Sequence, residues 1–288
     1  MRWFQVLWPD MRTNSCRLGQ TNHCCSKRAE MKLLVLVKLL CAILPMTLHA
    51  RPIPEGATAN HTTSGIHGGM AQHVTCDGTF NKIFVVGFPK SGTLSLHTAL
   101  LSGGINSTHW TIDAHGKRKF VGTLMLQALL EGRKLLDYIP SEVQAFTQMD
   151  VLIGCKQSKM CEHNAWPQLI LVPVLDLQYP NSKFIYNWRP AAHTIQSMQG
   201  WGDMVQRIGS NPVPFLPQGK GLEFEELRKW IDRQEETMVA YFEDRPCDFL
   251  HLDIEMEGAA VQKKLQVFLQ NPDIQWQHKH KSSSKNHP

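Results

Sequence analysis

Ile83-Phe84-Val85-Val86-Gly87, followed at once by Phe88-Pro89-Lys90-Ser91-Gly92-Thr93, constrains the fold of this chain more than any other segment. An unbroken run of β-branched and aromatic residues favours a strand buried on both faces. Glycine and proline then impose a tight turn, and Thr93 to Leu101 (TLSLHTALL) has helical spacing that stops at Gly103-Gly104. A strand that turns sharply into a helix aims the first helical amides, and here a lysine as well, at one spot. Such a construction grips an oxyanion such as phosphate or sulfate.

The rest of the chain repeats the alternation. One helix is expected from Phe120 to Leu130, closed by Gly132, and another from Pro167 toward Leu177, with proline in the first turn where its missing N–H costs nothing. Lys183 to Trp188 (KFIYNW) reads as a second buried strand, and a helix from Pro190 to about Met198 follows it. Phe224, Leu227, Ile231, Met238 and Phe242 form a helical stripe, marking a long helix from Glu223 to about Phe242 with acidic residues in its first turns. A third strand, Phe249 to Ile254, precedes a last helix from Ala259 to Phe268. The order implies an α/β fold: a parallel β-sheet flanked by helices, with a P-loop-like nucleotide-binding core. Ligands of such sheets bind beyond the C-terminal ends of the strands, which is where the turn after Gly87 and the segment after Trp188 both begin.

Gly87, four residues, Gly92 and Thr93 nearly spell the ATP-type loop GxxxxGK[ST], but the lysine stands three residues early, at Lys90. Hydrolysis of a metal nucleotide wants the lysine beside the hydroxyl that holds the metal. This loop instead places a cation inside the turn and offers hydroxyls at Ser91, Thr93 and Ser95. A nucleotide-dependent kinase would also want an acidic residue at the end of the second strand, where the chain has Arg189.

The loop resembles the 5′-phosphosulfate loop of the sulfotransferase superfamily, which commonly reads PKSGTTxL or PKTGTTSL after a hydrophobic strand. A second signature of that superfamily is a strand ending in arginine with a serine eight residues on, matched here by Arg189 and Ser197. The wider resemblance runs from Lys82 to Phe268. It is closest to a branch with His109-Trp110, Thr147-Gln148-Met149-Asp150, Trp166-Pro167-Gln168, and Arg189 through Met198 followed by Trp201-Gly202-Asp203-Met204. It implies a sulfotransferase that uses 3′-phosphoadenosine 5′-phosphosulfate (PAPS) as co-substrate and requires no metal. Lys90, Ser91, Gly92 and Thr93 would hold the 5′ end of the donor with Leu94 and Ser95 adjoining, and Arg189 and Ser197 would hold its 3′-phosphate. Leu94 replaces a second threonine of the family loop, and Pro190 follows Arg189 directly where relatives carry Asp-Pro or Asn-Pro. A sulfotransferase fold that has lost catalysis and only binds is the non-enzymatic alternative. The acceptor, a glycan, protein or small molecule with a hydroxyl or amine, is not specified by the motifs.

The chemistry suits these residues. A guanidinium fork holds a terminal phosphate through two parallel bonds, and lysine with loop amides stabilises charge developing on a bridging oxygen. A base must take the acceptor's proton. His109, in a polar loop, is the first choice because imidazole titrates near neutrality; His97 is the second, with Asp113 and Asp150 as fallback carboxylates. Trp110, Trp166 and Trp201 fall in or beside loops, where one of them can stack on a ligand, whereas Trp230 belongs to the packing of the long helix.

Residues 80–272 form one expected domain. Ahead of it lie a tail (1–30), an apolar segment (31–50) and a polar stem (51–79), and a basic polar tail (273–288) closes the chain. The apolar stretch Leu33 to Leu48 is 16 residues long, interrupted by Lys38, and preceded by Lys27, Arg28 and Lys32. It reads as a signal anchor with the C-terminal domain in the lumen, giving a single-pass Golgi membrane protein; if translation starts at Met31, it reads as a cleaved signal peptide and the protein is secreted. The sequons at Asn60 and Asn106 agree with a luminal domain. So do Cys76, Cys155, Cys161 and Cys247, an even number with no CxxC, which points to one or two disulfides rather than a metal site. The net charge of +5 is mild and comes largely from the first fifth of the chain and its end. No basic stripe interleaved with aromatics marks a nucleic-acid surface.

Overall fold

The computed structural model describes residues 76, 78–114, 116–152, 165–211, 213–217 and 219–278. The apolar segment 33–48, nearly all of the stem, Cys155, Cys161, the Asn60 sequon and most of the C-terminal tail lie outside these residues. Among the described residues no helix is long and apolar enough to cross a membrane.

Five parallel strands make the central sheet: β1 (Ile83–Val85), β2 (Ser107–Thr108), β5 (Ala145–Phe146), β6 (Lys183–Trp188) and β7 (Phe249–Asp253), in the order β2-β5-β1-β6-β7. β1 sits in the middle, with Ile83 opposite both Ala145 and Lys183. The chain leaves β1 toward one edge of the sheet and later crosses to the other, so the turn after β1 lies at the point where the strand order reverses, the usual place for a ligand crevice. A separate antiparallel hairpin, β3 (Thr111–Ala114) with β4 (Lys117–Phe120), projects after β2.

Alternation along β1 and β6 feeds the two faces of the sheet. Ile83, Val85 and Ile185 point to a cluster completed by Leu96, Ala99 and Leu100 of α1 (Thr93–Ser102) and by Val261, Leu265 and Leu269 of α8 (Gly258–Leu269). Phe84, Val86, Phe184 and Tyr186 point the other way, against Val121, Leu124 and Met125 of α2 (Val121–Leu130) and Leu175 of α4 (Val172–Gln178). Phe84 stacks on Phe146 at 5.4 Å between ring centroids. A third cluster lies beyond the strand ends, where Phe88 and Trp166 pack on Trp230 with Ile195 and Met198 of α5 (Ala191–Gln199).

The long helix, α7 (Phe224–Tyr241), starts and ends within a residue of its expected bounds. Of its stripe, Leu227, Ile231 and Met238 are buried, and so is Phe242 just past the last turn, whereas Phe224 in the first turn is 42% exposed. The helix expected from Pro167 toward Leu177 is broken into α3 (Pro167–Ile170) and α4. Pro173, which lacks an N–H and whose ring would collide with the carbonyl four residues back, forces the break at Leu171. β2, β5, the hairpin and α6 (Met204–Ser210) were not expected from the sequence. Cys76 and Cys247, at a sequence separation of 171, form a disulfide that ties the start of the described residues to the loop before β7.

Candidate active site

The turn after β1 is shaped by its glycines and by one buried amide of β6. Gly87 N–H donates to Asn187 Oδ1 (3.0 Å), and Asn187 Nδ2 donates to the carbonyls of Ser91 (2.6 Å) and Phe88 (3.4 Å). A Cβ on Gly87 would stand 2.3 Å from Asn187 Oδ1, so the loop lies against β6 only because that position has no side chain. Gly92 caps α1 in the left-handed conformation (φ 76°), its missing Cβ directed at Ile254 Cδ1, 2.7 Å away. Lys90 is left-handed as well (φ 69°), a backbone state that costs a non-glycine residue about 1 kcal/mol or more and collects at functional turns.

Two cations meet at this loop. Arg189, the first residue after β6, donates from Nη1 to the Lys90 carbonyl (3.2 Å). The Lys90 ammonium lies 3.6 Å from the centre of the Trp201 ring, which is 58% exposed. Partial burial and then the neighbouring Arg189 charge hold the Lys90 pKa below its ordinary value. Arg189 Nε (2.9 Å) and Nη2 (2.6 Å) both donate to Glu255 Oε1, and Glu255 Oε2 lies 2.5 Å from His193 Nδ1. Partial burial pushes the Glu255 carboxyl up, but the bonds from His193 and Arg189 outweigh it and its pKa falls below the usual value.

Lys90, Ser91, Gly92, Thr93 and Arg189 thus lie together beyond the ends of β1 and β6. Ser91 is buried, its hydroxyl 3.4 Å from that of Thr194 on α5. Ser197 is half-buried on α5, one turn past His193. Leu94 is half-buried, its carbonyl accepting from Thr98, and Ser95 is buried within α1.

The third side of the loop faces the ends of β2 and β5. His109 follows β2, and its Nε2 lies 3.1 Å from Thr93 Oγ1, the hydroxyl that opens α1. Thr93 donates to Gln148 Oε1 (3.1 Å), and Gln148 Nε2 donates to Asp150 Oδ2 (3.3 Å). Gln168 Nε2 donates to the other oxygen of Asp150 (3.2 Å). Because the Thr93 proton is directed at Gln148, His109 presents Nε2–H to Thr93 in this network, leaving Nδ1 as the basic nitrogen. Burial, with the nearby His97 ring, lowers the His109 pKa to about 4. His97 itself faces Ser107 (2.9 Å), and burial lowers its pKa too. Burial pushes the Asp150 carboxyl up to about 6.

Asp150 therefore belongs to the network behind the loop, whereas Asp113 lies exposed on the hairpin. Trp166 is 1% exposed and packs edge-on against Trp230 (5.5 Å), so it is a core residue and not a platform for a ligand. Trp110 and Trp201 stay partly exposed, Trp110 against the Phe120 ring and Trp201 beneath the Lys90 ammonium. Asn187, Thr194, His193 and Glu255 were missed in the sequence. A polar residue inside the apolar run KFIYNW was the available signal for Asn187, and the position just past the third strand was the signal for Glu255. Among the described residues no group of three or more His, Cys, Asp or Glu side chains is arranged to hold a metal ion.

A family model described as a sulfotransferase domain matches residues 82–251, from the start of β1 into β7. Comparison with curated proteins found no match, and neither did comparison with solved structures.

Proposed function

We propose, because this chain belongs to the sulfotransferase domain family, that it moves a sulfuryl group from PAPS to a hydroxyl or amine of a glycan, protein or small-molecule acceptor. The observation that carries this is the contact between Arg189 and the Lys90 carbonyl, which puts two candidate anion grips about 100 positions apart in sequence side by side beyond the C-terminal ends of the central strands β1 and β6. A donor with phosphates at both ends of its ribose needs that pairing, and a simple phosphate ester does not. The glycine-lined turn fits such a donor, since Gly87 and Gly92 leave no side chain between the loop and its supports.

When bound, PAPS supplies an activated sulfur whose bond to the bridging phosphate oxygen breaks as the acceptor oxygen or nitrogen bonds to it. Lys90 and the loop amides would stabilise the charge that collects on that bridging oxygen. The Lys90 ammonium, held over the Trp201 ring, sits on a flexible side chain at this turn. Ser91 and Thr93 lie at the same turn. Arg189, with Ser197 on the helix that follows, would hold the 3′-phosphate. His109 is the proposed base: neutral above about pH 4, it takes the acceptor proton on Nδ1 while Nε2–H stays on Thr93. The site is proposed to face the Golgi lumen, tethered through residues 33–48, or to be secreted if 31–50 is cleaved.

Incubating the full chain with radiolabelled PAPS and panels of glycans, tyrosine peptides and small alcohols tests the activity and finds the acceptor class. Label transfer that disappears in Lys90→Ala is expected. Transfer undiminished in both Lys90→Ala and Arg189→Ala would place the reaction elsewhere.

A further inference from the structure

We propose that Glu255 is an internal anion occupying the 3′-phosphate subsite, so that donor binding exchanges its carboxylate for phosphate on Arg189 and His193. This rests on the assignment of Arg189 to the donor's 3′-phosphate. All three nitrogens of the guanidinium are engaged without a ligand, through three of its five N–H donors: Nη1 faces the Lys90 carbonyl, while Nε and Nη2, the edge that forms a two-pronged grip, both point at Glu255 Oε1. The second carboxylate oxygen is taken by His193 at 2.5 Å. One carboxylate thus occupies both the guanidinium and the imidazole that an arriving phosphate would use.

The geometry also makes exchange feasible. The three side chains are 19%, 30% and 52% exposed for Arg189, Glu255 and His193, so a solute reaches the cluster without opening the core. Glu255 is anchored by its backbone, whose N–H donates to Asp253 Oδ1 (2.9 Å) at the end of β7, while its side chain remains a partly solvated arm able to swing out. His193 and Ser197 are four apart on α5 and share a face, so a phosphate on Arg189 meets two further donors. Carboxylate and phosphate cannot both stay on the same fork, because like charges at contact distance repel. Donor affinity is then the difference between two sets of contacts, and Glu255 restricts the subsite to anions stronger than a carboxylate. Nucleotides without a 3′-phosphate have nothing to gain from displacing it and leave the pair closed.

Calorimetric titration of the full chain with adenosine 3′,5′-bisphosphate and with adenosine 5′-monophosphate, at fixed pH and salt, separates the contributions. Glu255→Gln keeps the shape and removes the charge; it should tighten the bisphosphate about tenfold and leave the monophosphate unchanged within about twofold. Glu255→Ala should act in the same direction. Weaker bisphosphate binding in both variants, or equal changes for both nucleotides, would overturn the exchange. Arg189→Ala reports on the underlying assignment. If that variant keeps the wild-type preference for the bisphosphate, the subsite is not at Arg189. If it loses the preference while Glu255→Gln fails to raise it, the subsite stands and only the exchange is wrong.

Discussion

At Asn187 one side-chain amide, 1% exposed, satisfies the Gly87 N–H and the carbonyls of Phe88 and Ser91. Asn187→Ala takes this partner from the Gly87 N–H and the Ser91 carbonyl, while the Phe88 carbonyl keeps the Ser91 N–H (3.4 Å); the cost is about 1–3 kcal/mol for a buried polar group. Chemical denaturation should show the loss, together with weaker donor binding, because the loop is no longer held on β6. Lys90→Ala differs in kind: the half-buried side chain gives up its contact with the Trp201 ring but fills no core, so stability should change by only about 1 kcal/mol or less while turnover falls by about a hundredfold or more. Two groups in the network behind the loop titrate with opposite signs. The folded His109 pKa of about 4 lies below the ordinary 6.5, so its contribution to stability is present above pH 6.5 and lost as pH falls toward 4. The folded Asp150 pKa of about 6 lies above the ordinary 3.8, so its contribution is full below pH 3.8 and lost as pH rises through 6. The two effects offset one another across that window in the wild type. Asp150→Asn should therefore make stability rise with pH between about 4 and 6.5, and His109→Gln should make it fall, as read from thermal midpoints in a pH series.

Elements differ in how they hold the loop in place. α2 lies so close to the segment after β5 that a Cβ on Gly122 would stand 2.0 Å from the Met149 carbonyl. That segment carries Gln148 and Asp150, so Gly122→Ala should cost about 1–3 kcal/mol by overpacking and also loosen the support of Thr93 and His109, detectable as a parallel loss of thermal midpoint and turnover. The elements legible in the sequence are those with a long enough pattern: β1 with its turn, β6 matched residue for residue, and α7 with its stripe. β2 and β5 are two residues each, too short for any periodicity to register, and they exist because the sheet pairs them. The hairpin strands Thr111–Ala114 and Lys117–Phe120 are largely exposed and polar, so no alternation marked them. Motif residues of the site were legible because a loop that binds through backbone and one lysine has a fixed spelling. Asn187, His193 and Glu255 were not, since each acts through contacts with residues distant in sequence. The left-handed Lys90 is likewise a product of that packing, since residue type alone favours glycine there.

At the scale of the whole molecule, two ties close the domain: the parallel sheet itself and the Cys76 to Cys247 disulfide. A cross-link enclosing so much chain stabilises chiefly by restricting the unfolded state, typically by about 2–5 kcal/mol. Cys76→Ser with Cys247→Ser should lower stability by that order in denaturant while leaving donor affinity intact, because the bridge lies before β7 and the site lies beyond the strand's other end. The bond also suits the oxidising lumen proposed for this domain. The central claim is that the turn after β1 and Arg189 together form a PAPS site and not a metal-nucleotide site. The most direct test is calorimetry of the folded full chain, titrated once with adenosine 3′,5′-bisphosphate in the presence of a metal chelator and once with magnesium ATP. The account predicts saturable binding of the bisphosphate with no metal present and none of magnesium ATP; failure of the folded chain to bind the bisphosphate, or tight binding of ATP that depends on magnesium, would contradict it.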